Sequence, residues 1–365
     1  MSGLGIYIHV PFCGRKCSYC SFYSLPYDKN SAEGYVDAVL RNLEFYGDIS
    51  QITDTVYFGG GTPSLLSGAQ IGSIVCAVRQ NFRLTENAEI TLEANPNTLT
   101  PERLKEYARA GVNRLSIGVQ SLNDDELRFL GRTHTAGRAE KAVLDACDAG
   151  FGNISCDLML ALPNQTRNSL SATVERLAKL PIQHVSAYIL KIEEGTPFAH
   201  SGVSELLPDD DETADLYLRA VELLEENGFK QYEISNFALD GFESRHNSRY
   251  WKCLDYIGIG PSAHSCSGGI RFAAESDIQR FIGSPTQPVY ITDENPLGIE
   301  ERAMLKLRLT EGINLGEFGE RRLTVERKLP SLIENGYIRR NGENIALTPK
   351  GFLVSNAVIG TLIFE

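Results

Sequence analysis

The sequence predicts an α/β fold in which a partial TIM-type (βα)6 barrel precedes a smaller C-terminal α+β domain that resembles a winged helix. Two observations predict it. The first two-thirds of the chain alternates short β-branched segments with helical patterns, and strands that alternate with helices form a parallel sheet. After about residue 240 this alternation gives way to a glycine-rich passage, short helices and a hairpin. Six strand–helix units favour a barrel, and an open doubly wound sheet is the alternative.

The alternating region contains six predicted strands and six predicted helices. The strands are residues 5–10, 54–58, 89–94, 114–119, 154–160 and 184–190. The helices are residues 32–46, 64–81, 101–110, 138–149, 168–180 and 209–227. Helix-start signals precede the third and the sixth of these helices, at Thr100-Pro101 and Pro208-Asp209. We interpret the acidic residues 209–212 as a helix N-terminus, where negative charge offsets the helix dipole, rather than as a metal site.

Three parts of the chain are predicted from these changes in pattern. Residues 1–235 form the barrel, residues 236–296 a connecting segment, and residues 297–365 an accessory domain. The connecting segment ends in a predicted linker, residues 283–296, which holds three prolines. In the accessory domain, helices are predicted over 300–309, 314–319 and 325–335. A hairpin of residues 337–340 and 344–347 surrounds an Asn-Gly turn.

Composition and charge exclude several classes of protein. The 365 residues are 42% hydrophobic and carry 35 basic against 47 acidic side chains, a formal charge of -12. Such an acidic, globular chain is a poor non-specific binder of nucleic acid or anionic lipid. Residues 300–350 hold 10 basic and 8 acidic residues, too small an excess to grip phosphates. With no secretion signal or membrane-spanning run in sight, we expect a cytoplasmic protein with no nucleic-acid partner.

Three of the eight cysteines, Cys13, Cys17 and Cys20, follow the first predicted strand directly, with the spacing C-x3-C-x2-C. Soft sulfur ligands select zinc or iron–sulfur clusters. A structural zinc needs four ligands, and His9 could be the fourth. His9 lies on the strand, however, where its side chain is poorly placed to reach the same ion as the cysteines of the loop. A [4Fe–4S] cluster held by three cysteines leaves one iron open to a small molecule. The spacing therefore favours a cluster over zinc.

Glycine and polar residues recur where the predicted parallel strands end, the edge at which barrel proteins place their chemistry. Glycines at 59–61 would let the backbone approach a ligand closely. Arg132 could grip a carboxylate with its planar fork, and Asp157 within an apolar strand is costly unless it has a partner. Each feature alone has an ordinary structural interpretation, such as a turn or a salt bridge. Their repetition at one edge predicts a ligand site.

The cysteine spacing resembles that of the radical S-adenosylmethionine (SAM) superfamily. Motifs along most of the chain resemble the oxygen-independent coproporphyrinogen III oxidase-like family within it; they lie at residues 7–20, 59–63, 93–96, 118–121, 157–163, 245–251 and 258–264. The resemblance implies a cluster that binds SAM through its amino and carboxylate groups and can donate an electron that cleaves it. It also implies SAM contacts from Tyr7, Tyr19, Gly60, Gly61, Thr62, Glu93, Gln120, Arg132 and Asp157.

Two branches of this family differ in the residues that follow the cysteines. The true oxidases resemble C-x3-C-x2-C-x-C, whereas Phe22 stands at the fourth cysteine position here. The pattern His246-Asn247-x-x-Tyr250-Trp251 instead matches a branch of heme chaperones. The resemblance therefore implies heme as cargo and respiratory heme proteins as recipients. Coproporphyrinogen oxidase activity is not expected, and whether SAM is cleaved stays open.

His246 is the predicted heme-site residue, because imidazole is a common axial ligand to heme iron. The alternative, a core histidine with satisfied hydrogen bonds, is at least as favoured by the sequence alone. Two other functions stay open: a radical SAM enzyme of tetrapyrrole metabolism, such as a coproporphyrinogen oxidase, and a zinc module that binds DNA. Under the chaperone hypothesis, the protein also needs an electron donor if SAM is cleaved, and it comes close to a membrane transiently. The sequence leaves open whether the protein forms a homodimer.

Overall fold

The computed structural model describes residues 3–364, and its main element is a twelve-stranded sheet. The first eight strands of the chain are β1 Leu4–Val10, β2 Phe12–Cys13, β3 Leu25–Pro26, β4 Asp48–Gly60, β5 Phe82–Ala94, β6 Arg114–Gln120, β7 Ile154–Leu160 and β8 His184–Ile189. The next six are β9 Lys230–Gln231, β10 Asn236–Ala238, β11 Tyr256–Ile259, β12 His264–Ser267, β13 Ile270–Ala274 and β14 Val289–Asp293. The last three are β15 Ile313–Asn314, β16 Ile338–Asn341 and β17 Asn344–Leu347.

Thirteen α-helices are described, most of them packed against this sheet. In chain order they are α1 Lys29–Phe45, α2 Gly68–Asn81, α3 Pro101–Arg109, α4 Asp124–Phe129, α5 Ala136–Asp148, α6 Arg167–Leu177 and α7 Asp210–Glu226. The remaining ones are α8 Arg245–Trp251, α9 Ile278–Gly283, α10 Ile299–Lys306, α11 Arg322–Glu334, α12 Pro349–Leu353 and α13 Ser355–Phe364. Short 3₁₀ helices lie at Pro63–Leu65, Pro96–Thr98, Pro197–His200, Val203–Leu206 and Leu315–Arg321.

The six strands β1, β4, β5, β6, β7 and β8 are parallel and are neighbours in chain order. This confirms the partial (βα)6 barrel. Apolar side chains on these strands, such as Ile8, Phe58 and Leu92, are fully buried against the surrounding helices. The strands also end together, since Val10 pairs with Gly60 at one side of the barrel and Leu160 with Ile189 at the other. The loops that follow them therefore meet at one edge.

Both sides of the parallel strands are extended by strands that the sequence analysis did not predict. Beside β1 lies β11, parallel to it, and then β12, β13 and β14 in antiparallel order. Beside β8 lie the antiparallel β10 and β9. Residues 283–296, predicted as a linker, thus contain an edge strand of the main sheet. The glycines suggested loops, yet a Cβ on Gly258 or Gly260 would collide with neighbouring backbone carbonyls, so they permit close strand packing.

Helix boundaries follow the local capping chemistry. Asp209 caps α7, since its carboxylate accepts a hydrogen bond from the Glu212 backbone amide. This confirms the interpretation of the acidic residues 209–212 as a helix start. The helix predicted from residue 64 begins later, because Ser67 and Gln70 form a capping box before α2. The short α4 and α8 were not predicted, since six or seven residues carry too little periodicity.

The C-terminal region contains α10 to α13 and a three-stranded sheet in the order β15-β17-β16. The predicted hairpin is confirmed, with Asn341 paired to Asn344. Residues 314–319, predicted as a helix, instead form the end of β15 and a 3₁₀ helix. Over residues 3–364, none of the helices has the length and apolar character required to cross a bilayer. The boundaries proposed for the three parts of the chain stay a prediction.

Candidate functional site

The three clustered cysteines lie on a loop that is held at both ends. Strand β2 pairs with β3, Cys13 with Pro26, and this closes the loop that carries Cys17 and Cys20. The Cys20 amide donates to the Cys17 carbonyl at 3.2 Å, which tightens the loop. All three thiols are half-buried and line a single cavity of about 470 Å³. The loop thus presents three sulfur donors to one space at the C-terminal edge of the barrel.

The glycine segment after β4 packs directly against this cysteine loop. The amide of Gly61 donates to the Val10 carbonyl at 2.8 Å, and that of Thr62 to the Phe12 carbonyl at 2.7 Å. A Cβ on Gly61 would lie 2.6 Å from the Phe12 oxygen, so the position requires glycine. The Thr62 hydroxyl faces the Cys13 sulfur at 3.6 Å. The segment therefore forms a backbone wall of the cavity.

Arg132 connects the cysteine loop to the end of β6. Its Nη2 donates to the Gly118 carbonyl at 2.7 Å and its Nη1 to the Cys17 sulfur at 3.4 Å. Its Nε is buried and finds no hydrogen-bond partner among the described residues. Burial lowers the pKa of the guanidinium, but Tyr19 and Cys17 raise it more, so the pKa is raised overall. Arg132 thus lines the cavity as a permanent cation with one unused donor, which suits a carboxylate ligand.

Two carboxyl groups form the acidic part of the cavity wall. Glu93 accepts a hydrogen bond from the Tyr57 hydroxyl at 2.8 Å, and burial raises the pKa of Glu93 to about 7. Asp157 accepts from the Ser116 hydroxyl at 3.2 Å. Burial raises the pKa of Asp157, although its hydrogen bonds with Ser186 and Ser116 oppose the shift. Partially buried acceptors of this kind suit ammonium or hydroxyl groups of a ligand.

Most of the predicted SAM residues line this one cavity. They are Tyr19, Gly60, Gly61, Thr62, Glu93, Gln120, Arg132 and Asp157, together with the three cysteines. Tyr7 is not among the lining residues. Its hydroxyl bonds His9 Nδ1 at 3.1 Å, and its ring stacks on Tyr57 at 6.2 Å between centroids. The structure therefore places Tyr7 behind the cavity wall, where it supports Tyr57 and through it Glu93.

His246 does not line the cavity; its ring lies behind the wall, stacked on the rings of Tyr57 and Tyr7 at 5.1 Å and 6.3 Å between centroids. It is fully buried, with Nδ1 bonded to the Thr55 hydroxyl and Nε2 to the Tyr250 hydroxyl, both at 2.9 Å. Burial, with Arg249 and Arg114 nearby, lowers the pKa of His246 to about 3. In this conformation both ring nitrogens are hydrogen-bonded, so neither is free to bind iron. The alternative interpretation, a core histidine whose hydrogen bonds are satisfied, predicts this arrangement. The heme-ligand role of His246 stays a prediction.

The other candidate metal ligand, His9, is also occupied. Its Nε2 bonds the Tyr23 carbonyl at 3.0 Å while Nδ1 faces Tyr7. Within residues 3–364, no three His, Cys, Asp or Glu side chains converge on a single ion, the cysteine triplet included. Cysteine ligands of a [4Fe–4S] cluster each bind a different iron, so they need not share one centre. The donor set therefore fits a cluster.

Sequence reasoning missed several residues of the cavity. Tyr188 lies near the end of β8, Lys191 and Glu193 follow that strand, and all three line the cavity. The rule that ligands bind beyond parallel strand ends could have found them. Arg114 is buried inside the barrel at the start of β6, and its Nε and Nη1 have no partner among the described residues. Its positive charge opposes the raised pKa of both Glu93 and Asp157.

A partial parallel barrel with three loop cysteines facing a glycine-walled, Arg-containing cavity defines the class of radical SAM proteins. The family model described as "Radical SAM superfamily" matches residues 7–177, and that described as "HemN C-terminal domain" matches residues 298–354. The solved coproporphyrinogen III oxidase (HemN) of Escherichia coli, a radical SAM enzyme, superposes with a TM-score of 0.83. It is 22% identical, and the match covers 99% of this chain and 90% of that one. This likeness concerns the fold.

Full-length relatives narrow the class to one family. The heme chaperone HemW of Haemophilus influenzae is 35% identical over 99% of this chain and 98% of its own length. That of Lactococcus lactis is 33% identical over 98% of this chain and 97% of its own. The chain belongs to the HemW family of radical SAM proteins. Membership implies a [4Fe–4S] cluster and SAM, and the three thiols and the unpartnered Nε of Arg132 fit these groups.

Proposed function

We propose that this protein is a heme chaperone that binds heme, transfers it to respiratory heme proteins, and carries a SAM-binding [4Fe–4S] cluster. The observation that carries the proposal is the similarity along the whole chain to relatives named heme chaperone HemW. The match to those relatives covers at least 98% of this chain and so extends into the C-terminal region. Heme as cargo is thus inferred from the family, and the cluster from the cysteine loop.

Each residue of the cavity takes a role that its contacts permit. Cys13, Cys17 and Cys20 bind the cluster, which when bound would supply an electron to the SAM sulfonium. Arg132 would hold the SAM carboxylate, because it lines the cavity and its buried Nε has no partner among the described residues. Glu93 accepts a hydrogen bond from the SAM amino group or ribose. Tyr19, Gly60, Gly61, Thr62, Gln120 and Asp157 complete the walls.

Phe22 argues against the alternative, an oxygen-independent coproporphyrinogen III oxidase. It occupies the position of the fourth cysteine in the oxidase pattern, and its ring is 62% exposed at the mouth of the cavity. A phenyl ring supplies neither a thiol donor nor a proton there. Formation of protoporphyrinogen by the reconstituted protein under anaerobic reducing conditions would favour the oxidase or another radical SAM enzyme of tetrapyrrole metabolism.

The proposed partners follow from the same function. The protein acts in the cytoplasm and receives an electron from a donor protein if SAM is cleaved. It approaches the membrane transiently through its recipients, since a chain with a formal charge of -12 has little attraction to anionic lipid. A homodimer is one of the oligomeric states to be tested. We propose no nucleic-acid ligand.

The test is anaerobic reconstitution followed by measurement of iron, sulfide and heme binding. We expect about four irons and four sulfides per chain for one cubane cluster, and a saturable change in the heme absorption spectrum. The variant with Cys13, Cys17 and Cys20 all replaced by Ala is the control for the cluster. Zinc in place of iron and sulfide would favour the zinc module. A heme titration without saturation would reject the chaperone.

A further inference from the structure

A second cavity opens where the parallel strands of the barrel end at β8. Strand β10 covers only the first part of β8, because the last paired residues are Asn236 and Ser186. Tyr188 and Ile189 extend beyond this pairing toward the C-terminal edge. Helices α12 and α13 of the accessory domain face them across a gap of about 530 Å³. We call this gap the lateral cleft.

The walls of the lateral cleft combine polar residues with large apolar side chains, several of which are partly exposed. On the barrel side, Tyr188 and Ile189 present their side chains, and Tyr188 is 40% exposed. On the accessory side stand Phe352, Leu353 and Val354, and Val354 is 41% exposed. Large apolar side chains facing one another across a space of this size are typical of a small-molecule site.

Two cations without carboxylate partners border these apolar walls. Lys191 is exposed, and Arg308 lies over the ring of Trp251 at 5.6 Å while its Nη2 donates to Asn356 at 3.4 Å. Within residues 3–364, neither has a carboxylate oxygen within 4.0 Å. The buried Glu233 lies in the neighbourhood of Arg308, but its Oε1 accepts from the Ser235 amide at 3.0 Å. The cleft thus combines an apolar slot with two positive charges.

We propose that the lateral cleft is the heme-binding site, with the porphyrin between Tyr188 and Val354 and the propionates near Lys191 and Arg308. This inference rests on the proposed function, since it assigns a place to the cargo of that function. Heme is a flat, apolar molecule that carries two carboxylates at one edge, which matches the shape and charge of the cleft. A volume of about 530 Å³ lies within the usual range of ligand pockets.

The lateral cleft also adjoins the cluster cavity. Tyr188, Ile189 and Lys191 line both spaces. A heme in the cleft would therefore contact the same strand end that borders the SAM site. This adjacency couples the two sites physically, because any shift of Tyr188 changes the walls of both. The buried His246 lines neither space, although its ring stacks on that of Tyr57, which bonds Glu93 in the cluster cavity.

The cleft holds heme through its porphyrin rather than through its iron. None of the described residues that line it is His, Cys or Met. Of its two tyrosines, Tyr217 donates its hydroxyl to the Ile234 carbonyl, and burial raises the pKa of Tyr188, so neither offers the iron a phenolate. Affinity then comes from apolar contact and from the propionates. Weak iron ligation suits a carrier, because a recipient protein with a strong axial ligand can withdraw the heme. Iron-free protoporphyrin IX should therefore bind nearly as well as hemin.

The experiment titrates the full-length, reconstituted protein with hemin and with protoporphyrin IX. The variants are Lys191→Glu and Arg308→Met, and the matched control is Lys179→Glu, an exposed lysine outside the cleft. We expect each cleft variant to weaken both ligands about tenfold, as loss of a charged hydrogen bond does. The control should bind as the unaltered protein does. Melting temperature and iron content verify that each variant is folded.

The possible outcomes distinguish a wrong assignment of the heme site from a wrong proposal of the chaperone function. If the unaltered protein binds hemin but both cleft variants match the control, the heme site lies elsewhere and the chaperone proposal stands. If the affinity for hemin exceeds that for protoporphyrin IX by tenfold or more, roughly 1.4 kcal/mol, iron ligation dominates binding. That result would also overturn the assignment of the lateral cleft as the heme site. If the unaltered protein binds neither ligand, the chaperone proposal fails and the cleft assignment fails with it.

Discussion

Arg132 and Cys17 are in direct contact, with the guanidinium Nη1 donating to the sulfur at 3.4 Å. The same guanidinium bonds the carbonyl of Gly118 at the end of β6. The contact thus ties the chemistry of the cysteine loop to the frame of the barrel, and it makes Arg132 the residue to test first.

Replacing Arg132 with Met should weaken SAM binding about tenfold, because a charged hydrogen bond to the SAM carboxylate is lost. The cluster should still form, since the three cysteines remain. Equilibrium dialysis of SAM against the reconstituted variant measures the effect, and iron content verifies the cluster. Arg128→Met serves as the control, because Arg128 is exposed and pairs with Asp125 on the surface. Equal SAM affinity in both variants would remove Arg132 from the binding site.

Replacing any one of Cys13, Cys17 and Cys20 with Ala should abolish stable cluster assembly, because the remaining two thiolates leave two irons without protein ligands. Iron and acid-labile sulfide per chain measure the loss after anaerobic reconstitution. Cys76→Ala is the matched control, since Cys76 is exposed and lies outside the cavity. A triplet variant that kept its full iron and sulfide would show that the ligands have been misassigned.

Stability should fall as the pH rises from about 4.5 to about 7 because of Glu93. Burial raises the pKa of Glu93 to about 7 in the folded state, so the folded chain binds its proton more tightly than the unfolded chain does. Since the carboxyl borders a cavity and keeps part of its solvation, we expect a loss of about 1–3 kcal/mol.

Urea unfolding of the cluster-free protein between pH 5 and 8, roughly the range that spans this shift, measures the effect. Glu93→Gln removes the titrating group, and its stability relative to the unaltered protein should rise across this range. Glu86→Gln, an exposed position, is the control. A stability difference between the unaltered protein and Glu93→Gln that stays constant with pH would contradict the raised pKa.

His246→Ala should lower the free energy of unfolding by about 2–4 kcal/mol, because it removes two buried hydrogen bonds and leaves a cavity. Tyr250→Phe is the matched variant, since it deletes only the hydroxyl that bonds His246 Nε2. We expect about 1–2 kcal/mol from it. Chemical unfolding measures both. If His246→Ala unfolds like the unaltered protein but loses heme binding, the imidazole has a ligand role instead of a packing role.

The parallel core of the fold was predictable because apolar residues recur with different spacings in strands and in helices. Segments such as residues 154–160 are short and mostly apolar, and Asp209 is a typical residue to precede a helix. The strands from β11 to β14 escaped prediction for a physical reason. Gly258 and Gly260 resemble loop residues in the sequence, whereas tertiary packing uses them where backbones approach closely. Such contacts join distant segments, and no local pattern encodes them.

The site was predictable wherever ligand chemistry dictates residue type. Three thiols at fixed spacing and an arginine beyond a strand end indicated the cavity, and the structure brings them together. The placement of Tyr7 and His246 was not predictable in the same way. Both are aromatic polar residues that suit a ligand or a core equally well, and only their partners distinguish the two. The partners that decide the placement, Tyr57 for Tyr7 and Thr55 for His246, lie on another element of the fold.

The pairing of β1 with β11 has a consequence for how the molecule assembles. Ile8, just before the cysteine loop, pairs with Phe58 on one side and with Ile259 on the other. A nascent chain leaves the ribosome from its N-terminus, so the second edge of this strand stays bare until most of the protein has been synthesised. The strand that leads into the cysteine loop therefore gains its second neighbour only after β11, at residues 256–259, has been synthesised.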